Sequence, residues 1–268
     1  MSKTILVTGA TDGIGLETVK ILAGKGHNLL IHGRSREKLV ATRDLLLQIP
    51  GAGTVDTLQA DFTRLTDVRA MVDTLLAKRT GIDVLINNAG VFKLAQPRLE
   101  NGFDARFVVN LLAPAVLANR LLGQMPNDGR IINLSSAAQA PVELDAVAGN
   151  RPLDDNAAYA QSKLALTMWS FALAQRVGND GPVVIAINPA SFLASNMVKD
   201  AYGVEGNDLS IGADILVRAS LDDEFSQASG RYFDNDIGRF ADPHPDALNS
   251  EKVRQVFELV EQLSSELA

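Results

Sequence analysis

Tyr159 and Lys163 stand four residues apart in the run Tyr159-Ala160-Gln161-Ser162-Lys163. The flanking Ala157, Ala158, Leu164, Ala165 and Leu166 favour helix, and positions i and i+4 of a helix project from one face. The phenol and the ammonium are therefore neighbours. A free tyrosine ionises near pH ~10, too high for proton traffic at neutral pH. A cation beside it favours the phenolate and lowers that value. The pair can act as a tuned acid/base. Tyr-x-x-x-Lys also arises by chance, so its meaning rests on the other motifs of the chain.

Those motifs need a frame. Short β-branched or apolar runs alternate with longer amphipathic ones. Strands are expected at Thr4–Val7, Asn28–Ile31, Thr54–Gln59, Val84–Asn87, Arg130–Leu134 and Val183–Ile187, with a further one at Gly230–Phe233. Helices are expected at Ile14–Gly24, Glu37–Gln48, Thr66–Lys78, Asp104–Met125, Ala157–Val177, Asp208–Ser220 and near Asn249–Leu267. This rhythm predicts an α/β fold with one doubly wound, Rossmann-type parallel sheet of about seven strands and helices on both faces. No repeat, low-complexity tract or linker interrupts it, so residues 1–268 are expected to form one domain. Two irregular stretches, Ala137–Asn156 and Asn188–Asn207, are long for such a domain. Loops of that kind often serve as lids or binding loops, and within the second the segment Phe192–Val204 is expected to move over a substrate.

The first strand runs into Thr8-Gly9-Ala10-Thr11-Asp12-Gly13-Ile14-Gly15, and a helix follows. Glycines permit a tight turn and close approach of backbone to a pyrophosphate, and the helix N-terminus presents free N–H groups to it. Gly9, Thr11, Asp12, Gly13, Ile14 and Gly15 are thus candidate cofactor contacts. A ligand-free glycine turn is the alternative, and the spacing Gly-x-x-x-Gly-x-Gly departs from the general fingerprint. The second strand ends Ile31-His32-Gly33-Arg34. A fold that binds NAD usually has an acid here for the ribose 2′-hydroxyl. Arginine pairs instead with a 2′-phosphate, so Arg34 with Ser35 favours NADP(H) over NAD, and Arg36 is a second candidate cation. A solvated Arg34 is the other reading.

Composition narrows the classes. The chain has 268 residues, 46% of them hydrophobic, a formal charge of −7 and no cysteine. No basic patch stands out, which argues against nucleic acid and anionic membrane as partners. Disulfides and thiolate chemistry are excluded. The first strand begins close to Met1, which leaves no room for a signal peptide, and no apolar stretch is expected to span a bilayer. A cytoplasmic protein is expected. His27, His32 and His244 show no metal-ligand spacing and read as surface or loop residues, so no metal is expected. The acids Asp154-Asp155, Glu143 and Asp145 read as solvated loop residues, and Trp169, Phe171 and Met168 as core or interface.

Taken in order, the motifs resemble those of the short-chain dehydrogenase/reductase family along nearly the whole chain. Thr8–Gly15 matches the family's glycine turn, and Asn87-Asn88-Ala89-Gly90 its Asn-Asn-Ala-Gly after the fourth strand. Asn110, Ser135-Ser136 ending the fifth strand, Tyr159/Lys163 and Asn188-Pro189-Ala190 follow in sequence. The long stretch from Ser136 to Tyr159 and the arginine after the second strand resemble the retinol-dehydrogenase-like and protochlorophyllide-reductase-like branch, largely NADP-dependent. Ala190 departs from the family's usual glycine, which permits backbone that alanine resists.

The resemblance implies hydride transfer between NADP(H) and a carbonyl/alcohol pair on a small molecule. Asn110, Ser136, Tyr159 and Lys163 would be the catalytic set. Tyr159 would exchange the proton. Lys163 would tune it and bind the nicotinamide ribose. Ser136 would hydrogen-bond the substrate oxygen. Asn110 would hold a water in a proton relay, or satisfy a kink in its helix. Adjacent strand residues face opposite ways, so only one of Ser135 and Ser136 points into the site. Asp61, with Phe62 beside it, would contact adenine, although a post-strand Asp is also a common cap. Asn88, Ala89 and Gly90 would wall the cleft, and Asn87 would join neighbouring strands. Pro189, Ser191 and Phe192 would meet the nicotinamide carboxamide, with Tyr159 and Lys163 among the cofactor contacts as well. Ala140, Pro141, Val142, Leu144, Phe192 and Leu193 would make part of the substrate pocket apolar. Surplus apolar residues in Leu111–Leu122 and Leu164–Leu173 lie on the two helices through which the family dimerises, implying a homodimer or homotetramer. A non-catalytic NADP-binding module and a reductase of conjugated double bonds are the alternatives.

Overall fold

The structure is a computed structural model and describes residues 2–191, 193 and 207–267. Its strands are β1 (Thr4–Val7), β2 (Asn28–Gly33), β3 (Val55–Gln59), β4 (Val84–Asn87), β5 (Arg130–Leu134), β6 (Val183–Asn188), β7 (Arg231–Asp234) and β8 (Arg239–Ala241). They form one eight-stranded sheet in the order β3-β2-β1-β4-β5-β6-β7-β8. The first seven are parallel, and β8 pairs antiparallel with β7. The expected seven strands become eight because this last hairpin adds an edge strand.

The parallel strands are apolar along their length because both faces are covered. Ile5, Val7, Val84, Ile86, Ile132 and Ile185 point to one core layer. That layer is closed by α1 (Gly13–Gly24), α2 (Arg36–Leu47) and α6 (Leu209–Leu221). Leu6, Leu85, Ile131 and Val184 point to the other layer. That one is closed by α3 (Leu65–Ala77), α4 (105–121), α5 (Asp155–Val177) and α7 (Ser250–Leu267). Helix α4 is not the continuous helix expected over Asp104–Met125. It consists of Ala105–Phe107, a π-helical turn at Val108–Leu112 and Ala113–Leu121, and a 3₁₀ turn at Leu122–Gln124 follows.

Two expectations change here. The stretch Ala105–Gln124 is long and apolar enough to cross a bilayer, against the reading that no segment is; 83% of its apolar window is buried inside the protein. Its apolarity serves the core. The surplus apolar surface of α4 and α5 has a similar explanation, because α7 lies across both helices. Glu261 of α7 accepts from Trp169 Nε1 at 3.0 Å, Asn119 Nδ2 at 2.8 Å and Arg176 at 2.5 Å. Arg176 also stacks over Phe257, 5.2 Å from its ring centroid. The face expected to meet a second subunit is covered by the chain itself.

Candidate active site

Strand order reverses around β1, which has β2 on one side and β4 on the other. Such a point in an open parallel sheet leaves a crevice at the C-terminal edge. A cleft of about 770 Å³ lies there, lined from the ends of β1 to β6 and from α5. At one end stand Gly9, Thr11, Asp12, Gly13 and Ile14, and at the other Tyr159, Lys163 and Pro189.

The glycine turn is built by close packing. Gly9 and Gly13 have φ of +65° and +54°, conformations that side chains resist. A Cβ on Gly15 would meet Gly9 O at 2.3 Å and Asn88 Nδ2 at 2.5 Å. Gly15 therefore supports the turn from beneath and does not line the cleft. Asn88 Nδ2 donates to Thr8 O and Gly9 O at 2.8 and 3.1 Å, so Asn88 fastens the turn as well as walling the cleft beside Ala89 and Gly90. Asp12 caps α1 by accepting from Gly13 N. The result is a concave row of backbone donors at a helix N-terminus, which fits a pyrophosphate.

His32 departs from its surface reading. It is 2% exposed, and burial pushes its pKa down to about 4, so the ring is neutral at pH 7. Nδ1 accepts from Gly9 N at 3.2 Å, and Nε2 donates to Ala60 O at 3.1 Å. The ring stacks on Phe62 at 3.9 Å. His32 thus ties the ends of β1, β2 and β3 together at the cleft floor. His27 is also buried and accepts from Lys3 N. Asp61 lines the cleft while its Oδ1 caps the turn at Thr63, so the two roles weighed for it coexist.

Arg34 and Ser35 line the same end, with Lys38 beside them. Arg36 is not among the lining residues. Ser35 caps α2 by accepting from Lys38 N, which sets Lys38 in the first helical turn above the cleft, 3.4 Å from Asp12. Recognition of Ser35 as an N-cap was the available signal for this second cation.

At the far end, Asp154 caps α5 by accepting from Ala157 N. The helix thereby starts at Asp155, two residues earlier than expected. Lys163 Nζ sits 5.7 Å from the Tyr159 ring centroid and donates to Leu134 O at 2.7 Å. Burial lowers the Lys163 pKa to about 8. The Tyr159 ring packs against Phe92 at 4.6 Å. Ser135 and Ser136 follow the end of β5, and of the two it is Ser135 that lines the cleft. Its hydroxyl is engaged with Thr167 Oγ1 and Lys163 O at the cleft wall. Ser136 Oγ accepts from Ala138 N, which leaves its own O–H to donate. Ser136 stands beside the lined cleft and not in its wall; its carbonyl accepts from Gln139 and Tyr232.

Asn110 lies in the π-helical turn, 1% exposed. Its Oδ1 accepts from Val91 N, and its Nδ2 donates to Val91 O and Ser162 Oγ. These side-chain bonds anchor the Val91 loop, a third role beside the relay water and the helix kink, which are compatible with each other. Asn87 donates to Asn133 on β5, joining two strands as expected. Ser191 is turned away from the cleft, because Asp236 accepts from both its N and its Oγ at 2.7 and 2.6 Å. Phe192 and most of the expected substrate loop lie outside the described residues. The cleft wall near Tyr159 is Val91, Phe92, Lys93, Leu94 and Val109. Val142, Leu144 and Leu193 pack toward the core instead. Ala190 takes φ +127°, the conformation that made glycine the expected residue there.

A doubly wound sheet with a phosphate-cradling turn at one end of its crevice and a buried lysine beside a tyrosine at the other defines a dinucleotide-fold oxidoreductase. Residues 3–203 match the family described as short chain dehydrogenase. Retinol dehydrogenase 13 of Homo sapiens is 30% identical over 276 residues, 95% of this chain and 82% of that protein. Polyprenol dehydrogenase of Danio rerio is 34% identical over 197 residues, 70% of this chain and 61% of that protein. A short chain dehydrogenase from Burkholderia cenocepacia J2315, solved in complex with NADP, superposes with a TM-score of 0.70 at 25% identity, covering 88% of this chain and 97% of that one. The chain belongs to the short-chain dehydrogenase/reductase family, on its retinol-dehydrogenase-like side, among enzymes of alcohol and carbonyl groups.

Proposed function

We propose that the protein is an NADP(H)-dependent oxidoreductase acting on a carbonyl/alcohol pair of a small molecule. The observation that carries this is the buried Lys163 ammonium 5.7 Å from the Tyr159 ring in the same cleft as the glycine turn. NADP is the cofactor of this reading, since Arg34, Ser35 and Lys38 stand at one site and the Burkholderia relative was crystallised with it. When bound, it supplies or accepts the hydride. Gly9, Thr11, Asp12, Gly13 and Ile14 would hold the pyrophosphate, Asp61 and Phe62 the adenine side, and Ala89, Gly90 and Pro189 the nicotinamide side.

Tyr159 then gives its proton to the carbonyl oxygen in reduction and takes the alcohol proton in oxidation. Lys163 stabilises the phenolate, and its Leu134 anchor keeps the ammonium in the cleft wall. Ser136 donates to the substrate oxygen and stabilises the charge that develops there. Asn110 holds the Val91 loop that forms the wall beside Tyr159. We take residues 1–268 as one catalytic domain, read as cytoplasmic. The homodimer or homotetramer remains in this reading only through faces other than α4 and α5.

The test is absorbance at 340 nm with NADPH or NADH and a panel of aldehydes, ketones and enones. Consumption of NADPH with aldehydes or ketones supports the proposal. Turnover of enones alone moves the protein to double-bond reduction. NADPH binding without any turnover makes it a binding module.

A further inference from the structure

Arg106 is fully buried, at 0% exposure, in the first turn of α4. No motif singles it out. Its Nε and Nη2 donate to the two oxygens of Asp104 at 2.8 and 2.6 Å. Its Nη1 donates to Asp155 Oδ1 and reaches Phe92 O at 3.5 Å. A buried guanidinium is costly to strand and is retained where its fork is filled. Here the fork joins three separate segments. Asp155, expected to be a solvated loop acid, is instead the first residue of α5. Tyr159 lies four residues on, on the same face of that helix, and its ring rests on Phe92. A closed circuit results: Arg106 to Asp155, one helical turn to Tyr159, across the ring contact to Phe92, and through the Phe92 carbonyl back to Arg106.

We propose that Arg106 and Asp155 are positioning residues for Tyr159. The clamp sets both the start of α5 and the Phe92 ring against which the phenol is held, and so fixes where the proton is delivered. The inference rests on the proposed role of Tyr159. Geometry of this kind acts on turnover more than on binding, because an error of about 1 Å at a reacting group can cost ~10²-fold. The glycine turn and the Arg34 end of the cleft, which would hold the pyrophosphate and the 2′-phosphate, lie on other elements, so the clamp is expected to change NADPH affinity little.

The experiment compares the full chain with Asp155→Asn and Arg106→Lys. Asp155 is 42% exposed, so its variant is the one expected to fold without difficulty, and it decides the matter if Arg106→Lys does not fold. Expected is a kcat lower by about tenfold or more with KM for NADPH changed by less than about twofold. Beside kinetics, the protein is labelled with 3-fluorotyrosine and the Tyr159 ¹⁹F line assigned by Tyr159→Phe. The line is expected to shift in Asp155→Asn as the phenol changes its place over the Phe92 ring. A folded Asp155→Asn with wild-type kcat, or with an unmoved ¹⁹F line, overturns the proposal. Absence of turnover in the wild-type chain counts against the proposed function, while the ¹⁹F line still decides the clamp.

Discussion

Replacing Lys163 by Met separates what the lysine does for chemistry from what it does to stability. Lys163 is 5% exposed, and burial lowers its pKa from the ordinary 10.5 to about 8. Below pH ~8 the lysine is charged in both folded and unfolded chains, and folding carries the full cost of desolvating it. Between about 8 and 10.5 the folded chain has released the proton while the unfolded chain keeps it. The unfolded state then binds more protons, so stability rises with pH. At 1.36 kcal/mol per pH unit the gain amounts to ~3 kcal/mol across the window. Above 10.5 both forms are neutral and the dependence ends. The assay is urea unfolding of the wild type and Lys163→Met in the absence of cofactor, from pH 7 to 10.5. The wild-type free energy minus that of the variant should climb by about 1.4 kcal/mol per unit above pH 8. Loss of the bond to Leu134 O shifts the variant's curve as a whole and leaves this slope untouched. Parallel curves would refute the burial argument, whatever the variant's activity.

Tyr159→Phe should bind NADPH within about twofold of wild type by fluorescence titration and lose ~10²–10⁴ in turnover, the usual share of a general acid; full turnover would remove the phenol from the mechanism. Arg34→Asp combined with Lys38→Ala should raise KM for NADPH by about tenfold or more and leave NADH nearly unchanged, since charge-assisted bonds to a phosphate are worth ~1.5–3 kcal/mol. Equal effects on both cofactors would discredit the 2′-phosphate site. Ala190→Gly should raise stability by about 1 kcal/mol, the relief of a φ of +127° less the added freedom of the unfolded chain. An unchanged or lowered melting temperature would show that Ala190 sits there without strain.

The parts that could be read in the sequence are those encoded locally. Runs such as Ile5-Leu6-Val7 and Val84-Leu85-Ile86 announce strands buried on both faces. Thr8–Gly15 announces its turn by the residues that only such a turn requires. The hairpin strand β8 is three residues of mixed character, Arg239-Phe240-Ala241, too short to carry a period. The π turn at Val108–Leu112 reads as ordinary helix, because its apolar residues suit either winding. The remaining misses depend on partners distant in the chain. His32 is buried because Gly9 and Ala60 meet its two nitrogens, the latter 28 residues away. Ser191 turns from the cleft because Asp236, 45 residues on, receives it. Arg106 and Asp155 are 49 residues apart. Each is ordinary in its local sequence, and only the sheet brings them together.

Helix α7 meets Trp169 and Asn119 through Glu261, across 92 and 142 residues of chain. A ribosome working at ~5–20 residues per second needs about 5 to 30 seconds to add a stretch of that length. During that interval the indole and its neighbours on α4 and α5 have no cover. The nascent protein therefore passes through a sticky stage that lasts until α7 emerges. Truncation or slow translation near residue 250 would prolong that stage.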